Sequence, residues 1–244
     1  MKQRESGFTI IETTLVLAIT GLIVAVILVG IGNALNQQRY TDAVNQAVDF
    51  IRGQYTVGAN TMNNRPASES CGSGGIRDDI TPMPRGASDC LLVGTIMRTN
   101  GSDGKAINVY QVVALADPDE SMMGDDDTTI LAAANLSQGG LVQTYKADWD
   151  TRFLSPDSGD PAQFTILVVR TPISGTMRTY SSDSAATSIA NLINPAVTQQ
   201  TDRKLCIDQT GFFGIGVQPM GILISRDTAN TTGVQILPSG ECVA

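Results

Sequence analysis

Residues 2–55 read KQRESGFTIIETTLVLAITGLIVAVILVGIGNALNQQRYTDAVNQAVDFIRGQY, and this stretch decides the fold. A charged leader ends at Gly7. From Thr13 to Ile31 there is no charge, and the only polar side chains are Thr13, Thr14 and Thr20. Those nineteen residues, at a helical rise of 1.5 Å each, nearly cross the hydrocarbon core of a bilayer. Lys2 and Arg4 precede them, which leaves the N-terminus on the cytoplasmic side and the bulk of the chain outside. One acid, Glu12, sits in this apolar setting with no cation beside it in the sequence. Ionised groups are costly in lipid and for that reason are usually functional.

After Gly32 the pattern changes. Tyr40, Val44, Ala47, Val48, Ile51 and Tyr55 recur at helical spacing and fall on one face, with Asn36, Gln37, Arg39, Asp42, Asn45, Asp49 and Arg52 filling the rest. The spacing predicts one long helix over about residues 9–57. Its first half is suited to lipid and its second half to packing on a domain. Gly21, Gly30 and Gly32 punctuate the apolar part, where small residues permit close helix approach or loosen the helix.

Three readings of the opening compete. A secretory signal peptide has a shorter apolar core followed by a small-residue cleavage site. A plain membrane anchor explains the length but leaves Glu12 without a role. The third reading rests on SGFTIIETTLVLAITGLIVAVIL, which resembles the N-terminus of type IV prepilins and of the related pseudopilins of type II secretion. In that family a basic leader ends in Gly, and a prepilin peptidase cuts after it. The next residue, usually Phe, becomes the new and commonly N-methylated N-terminus, with a Glu five residues into the mature chain. Gly7, Phe8 and Glu12 match these positions without a gap, and the resemblance covers roughly residues 1–55.

The resemblance implies a leader over 1–7, a transmembrane and filament-core helix over 8–32, an amphipathic helix over 33–57 and a β-rich head over 58–244. It also implies a role for Phe8 and Glu12 in assembly: the carboxylate of an incoming subunit meets the α-amine of a neighbour already in the filament. The implied partners are the prepilin peptidase, other pilin subunits through the N-terminal helix, the inner-membrane assembly machinery, and the membrane itself before assembly.

The remainder reads as a head of α+β class, an antiparallel sheet packed against the long helix. Residues 58–90, rich in Asn, Ser, Gly and Pro, read as an irregular connection. Strand-like runs follow at 91–99 and 106–116, joined by NGSDGK with its Asn-Gly and Asp-Gly turn signals. Further runs lie at 140–145, 164–170, 175–180, 205–208, 221–225 and 234–237, with a short helix expected over 185–193. Four cysteines, Cys71, Cys90, Cys206 and Cys242, form no CxxC pair. In an exported chain they read as two disulfides. Three pairings are open, and nearest-neighbour pairing, Cys71–Cys90 and Cys206–Cys242, is the expectation. In the resembling family the C-terminal region is often stapled to the sheet in this way.

Composition narrows the functions further. A net charge of −8 without a basic patch argues against nucleic acid as a partner. The chain has no histidine, which removes Ser–His–Asp and Cys–His constellations and the commonest general base. No enzyme activity and no cofactor are expected. DPDESMMGDDD (117–127) carries six acids, but the spacing does not match a calcium-binding loop, so a solvated acidic segment and no metal are expected. The functional expectation is a filament subunit, a minor pilin because the chain is long. The alternatives are a secretion pseudopilin and, from another class, a membrane-tethered binding domain or enzyme.

Overall fold

The stripe from Tyr40 to Tyr55 organises the molecule. In the computed structural model, described here for residues 9–60, 69–72, 75–78, 91–115, 120–122, 124–198, 200–209, 219–226, 228–237 and 240–242, helix α1 runs from Ile10 to Ala59. Its 50 residues span about 75 Å at the helical rise. All six stripe residues are buried to 2% exposure or less, and Ala43, Gln54 and Gly58 join them on the same face. Packing rather than propensity supports this half of the helix.

Among the described residues eleven strands complete the α+β architecture: β1 (Glu69–Gly72), β2 (Gly75–Asp78), β3 (Leu91–Asn100), β4 (Ala106–Ala114), β5 (Leu136–Lys146), β6 (Phe153–Leu154), β7 (Thr165–Arg170), β8 (Met177–Ser182), β9 (Arg203–Ile207), β10 (Gly221–Ile224) and β11 (Val234–Leu237). Two short helices join them, α2 (Asp127–Ala133) and α3 (Ile189–Ile193). The strands form a five-stranded antiparallel sheet ordered β5-β4-β3-β7-β8, a four-stranded antiparallel sheet ordered β11-β10-β9-β6, and the hairpin β1-β2.

Both sheets bury against α1. One core cluster joins the helix stripe to Met97, Ile107, Ile166 and Val168 of the larger sheet and to Leu205, Ile207, Ile222, Ile224 and Val234 of the smaller. The opposite face of the larger sheet is also covered. Val93, Ile96, Leu167, Val169 and Tyr180 pack there on Leu131 of α2 and on Ile189, Leu192 and Ile193 of α3. The run TILVVR in β7 follows from this: Ile166 and Val168 point one way, Leu167 and Val169 the other, and all four are fully buried. Close approach fixes one glycine. A Cβ on Gly94 would lie 2.1 Å from the Val168 carbonyl oxygen, so β3 can lie beside β7 there only without a side chain.

The structure corrects several expectations. The 58–90 segment is not wholly irregular, since β1 and β2 form a hairpin within it. Strand β5 begins four residues earlier than the apolar run, because its edge position leaves most of its side chains half-exposed or exposed. The expected helix over 185–193 is confined to Ile189–Ile193, where the Ser188 side chain accepts from the Asn191 N–H and caps it. The 175–180 run starts as strand only at Met177, because Gly175 has φ +68° within the turn before it. Helix α2 has no counterpart in the sequence reading.

Candidate functional site

The chemistry-bearing region is the exposed half of α1 and its junction with the head. Every side chain from Thr9 to Gly32 is exposed, and among the described residues this is the one helix long and apolar enough to cross a membrane. Its polar groups are satisfied within the helix. The hydroxyl of Thr13 donates to the Ile10 carbonyl (2.9 Å), that of Thr14 to Ile11 (3.0 Å) and that of Thr20 to Val16 (2.8 Å). No hydroxyl of the three needs water, as a hydrocarbon setting demands. A Cβ added at Gly21, Gly30 or Gly32 would meet nothing within 4 Å, so no contact inside the chain requires glycine at these positions.

Glu12 is less isolated than its sequence setting implies. Thr9 is the N-cap of α1, and its hydroxyl oxygen accepts from the Glu12 N–H (3.3 Å). In return, Glu12 Oε2 accepts from the Thr9 N–H and from the Thr9 hydroxyl, both at 2.9 Å. This is a reciprocal capping box, and the carboxylate also sits where the helix dipole favours a negative charge. Thr-Ile-Ile-Glu is a local T-x-x-E pattern, so the sequence itself encodes this contact. Gly7 and Phe8, the predicted processing pair, lie outside the described residues.

The buried half of α1 is bolted to the head by polar contacts at three levels. The Tyr40 hydroxyl donates to the Ile207 carbonyl (2.9 Å) and accepts from the Met220 N–H (2.8 Å). Arg52 donates through Nε and Nη2 to the Val234 carbonyl (3.0 and 2.8 Å). The Thr179 hydroxyl gives its proton to the Thr228 carbonyl, so the Tyr55 hydroxyl donates to Thr179 Oγ1 at 2.9 Å. Burial pushes the Tyr55 hydroxyl up to about 12, partly offset by the Thr179 contact. The helix therefore leaves the head in a fixed direction.

Cys206 of β9 and Cys242 are joined, with Cα atoms 5.6 Å apart, as expected, and they bury with Leu237. The link ties the last described residues to the smaller sheet. Cys90 and the side chain of Cys71 lie outside the described residues, and the expected Cys71–Cys90 pairing lies there with them.

The acidic segment is only partly solvated. Residues 117–119 and 123 lie outside the described set. Asp126 caps α2, accepting from the Thr129 N–H (3.0 Å) and hydroxyl (2.8 Å). Asp127 is mostly buried and accepts from Arg178 (2.7 Å), Thr176 (2.9 Å) and Ser174 (2.9 Å). Burial pushes its carboxyl up, but the three hydrogen bonds outweigh that and hold it below the usual carboxylate range. Among the described residues no cluster of three acids, Cys or His is placed to hold a metal. A groove of about 720 Å³ opens between α2 and α3, with an apolar floor of Leu131, Leu136, Ile189 and Ile193.

At the base of the head, residues 148–150 form a tight turn beside α1 in which Trp149 (φ +55°) and Asp150 (φ +59°) are both left-handed. The Arg39 guanidinium lies 4.8 Å from the centre of the Trp149 ring. Nothing in the sequence pattern marked this pair, because the two residues are 110 positions apart. No family model matches the chain, and neither a curated protein nor a solved structure matches it.

Proposed function

We propose that this chain is a structural subunit, a minor pilin, of a type IV pilus-like extracellular filament. Prepilin peptidase removes residues 1–7, leaving Phe8 as the N-terminus. The uncharged half of α1 holds the subunit in the cytoplasmic membrane with its head outside. The inner-membrane assembly machinery then transfers that half from lipid into a bundle of sister helices. The chain itself performs no catalysis and carries no cofactor.

The observation that carries this reading is the contrast within one helix. Twenty-four consecutive exposed positions, Thr9 to Gly32, continue without a break into a half that is built into the head. A helix apolar on all sides has no stable place in water, and a rigid connection lets the head follow it into a filament. The three unexplained glycines are suited to close approach by neighbouring helices. The capping box gives Glu12 a role before assembly: the carboxylate is held at the first turn, its charge near the membrane boundary rather than deep in lipid. On docking, the Phe8 amine of a neighbour would add a counterion to an acid already oriented.

Glu12→Ala tests this. The variant is expected to insert into the membrane as well as the parent chain and to be strongly depleted from sheared surface filaments. Recovery of the variant in filaments at parental levels would remove the docking role. Filaments confined to the periplasm would instead point to the secretion pseudopilus.

A further inference from the structure

Trp149 is the only tryptophan of the chain, yet it is half-exposed, and its backbone adopts a conformation that bulky residues avoid. The turn is held in place from several sides. The Ala147 N–H donates to the Lys105 carbonyl (2.8 Å), Lys105 Nζ pairs with Asp150 (2.5 Å), and the Thr151 hydroxyl donates to the Asp148 carbonyl (2.8 Å). Left-handed non-glycine residues persist where surrounding contacts fix them, and such places are often functional. Here the product is a large amphipathic ring presented outward beside α1, with a guanidinium over it.

The position of that ring along α1 identifies what it meets. Residues 13–38 carry no charge, so Glu12 and Arg39 are the first ionised groups at either end of the uncharged segment. Twenty-seven residue steps separate them, about 40 Å at the helical rise. A bilayer measured through its headgroup layers is about 40–45 Å thick. With Glu12 at one boundary, Arg39 falls in the opposite headgroup layer. Helix side chains lean toward the N-terminus, which tilts Arg39 back toward the lipid. Tryptophan and arginine are the residues that favour this layer, the ring for its apolar body and polar edge, the guanidinium for its reach to phosphate.

We propose that Trp149 and Arg39 form a headgroup contact that seats the base of the head on the outer leaflet of the membrane while the subunit awaits assembly. The partner is the phospholipid interface of the same bilayer that α1 crosses, so the inference rests on the membrane-spanning reading of residues 13–38. Asp150 does not oppose it as a lone charge, because Lys105 neutralises it. The contact also sets the depth and tilt of the waiting subunit, as interfacial anchors do for other spanning helices.

The single tryptophan is its own probe. The full chain is reconstituted in vesicles of phosphatidylethanolamine and phosphatidylglycerol that contain a nitroxide label either on the headgroup or at the acyl-chain end. Flotation first establishes insertion. The expected result is strong quenching of Trp149 by the headgroup label, weak quenching by the deep label, and protection from aqueous iodide relative to the chain in detergent. In floated vesicles, full access to iodide without headgroup quenching would overturn the contact and leave the span intact. Stronger quenching by the deep label would overturn the headgroup placement. Failure to float would overturn the span and the contact together.

Discussion

Helix α1 places two environments on one continuous rod, and its halves differ in what they ask of the sequence. From Thr9 to Gly32 every position is exposed, and from Leu15 onward the residues are apolar on all sides but for Thr20, so no face is distinguished from another. From Tyr40 to Gly58 a single face is buried, and polar side chains occupy the rest. The head stabilises only the second half. The first half gains nothing from the head; it is long and apolar enough to cross a membrane, where backbone groups would have to pair with one another, and its threonine hydroxyls already bond to carbonyls of the preceding turn. A substitution should therefore report on one half or the other and rarely on both.

Ile51→Ala should have the largest effect on the head. Ile51 is fully buried against both sheets, and truncation there is expected to remove about 3–4 kcal/mol of stability. Thermal melting of the head should fall sharply while vesicle flotation is unchanged. A change in flotation without a change in melting would erase the division between the halves.

Val24→Arg is the mirror experiment. A charge at the middle of the uncharged run opposes membrane insertion by about 3 kcal/mol. Flotation or membrane recovery should drop, and the melting of the head should stay as it was. Val24 is exposed, so lost melting stability would show that this half packs on the head after all.

Tyr55 gives a finer test through pH. Its hydroxyl is pushed up to about 12 by burial, whereas the unfolded chain ionises near the ordinary value of about 10. The raised folded value means that its contribution is complete below pH about 10 and is lost as pH rises toward 12, by up to about 1.4 kcal/mol per unit. Denaturant melts across this window should weaken steadily, and Tyr55→Phe should flatten the slope. An identical slope in the variant would mean that Tyr55 is not the group resisting ionisation.

What could be read from the sequence follows the same physics. The stripe Tyr40–Tyr55 was legible because about four turns repeat one period, and the turn at residues 100–104 because Gly101 and Gly104 are needed at positive φ. The central strands were legible from their β-branched runs. What those runs did not show is that β7 is buried on both faces, since α2, of seven residues, is too short to show a helical period, and the short helix expected over 185–193 carried no sign of the sheet face it covers. Asp127 reads as part of a solvated run because its partner Arg178 is brought to it by the fold, whereas the cap from Asp126 to Thr129 is local but opens a helix of only seven residues. The Thr9–Glu12 box was legible and local. The Arg39–Trp149 pair was neither, its members lying 110 positions apart in the chain.

The proposed filament role depends most on cleavage before Phe8, because without it the apolar half of α1 would remain an anchor and Glu12 would have only Thr9 to pair with. Mass spectrometry of the N-terminal peptide of the native protein, recovered from membranes and from sheared surface material, tests it directly. The predicted result is a chain beginning at Phe8, with a methyl group on its amine, that shifts back to Met1 when Gly7 is replaced by a bulky residue. A native chain that still carries residues 1–7 in its surface-exposed form would contradict the filament-subunit reading.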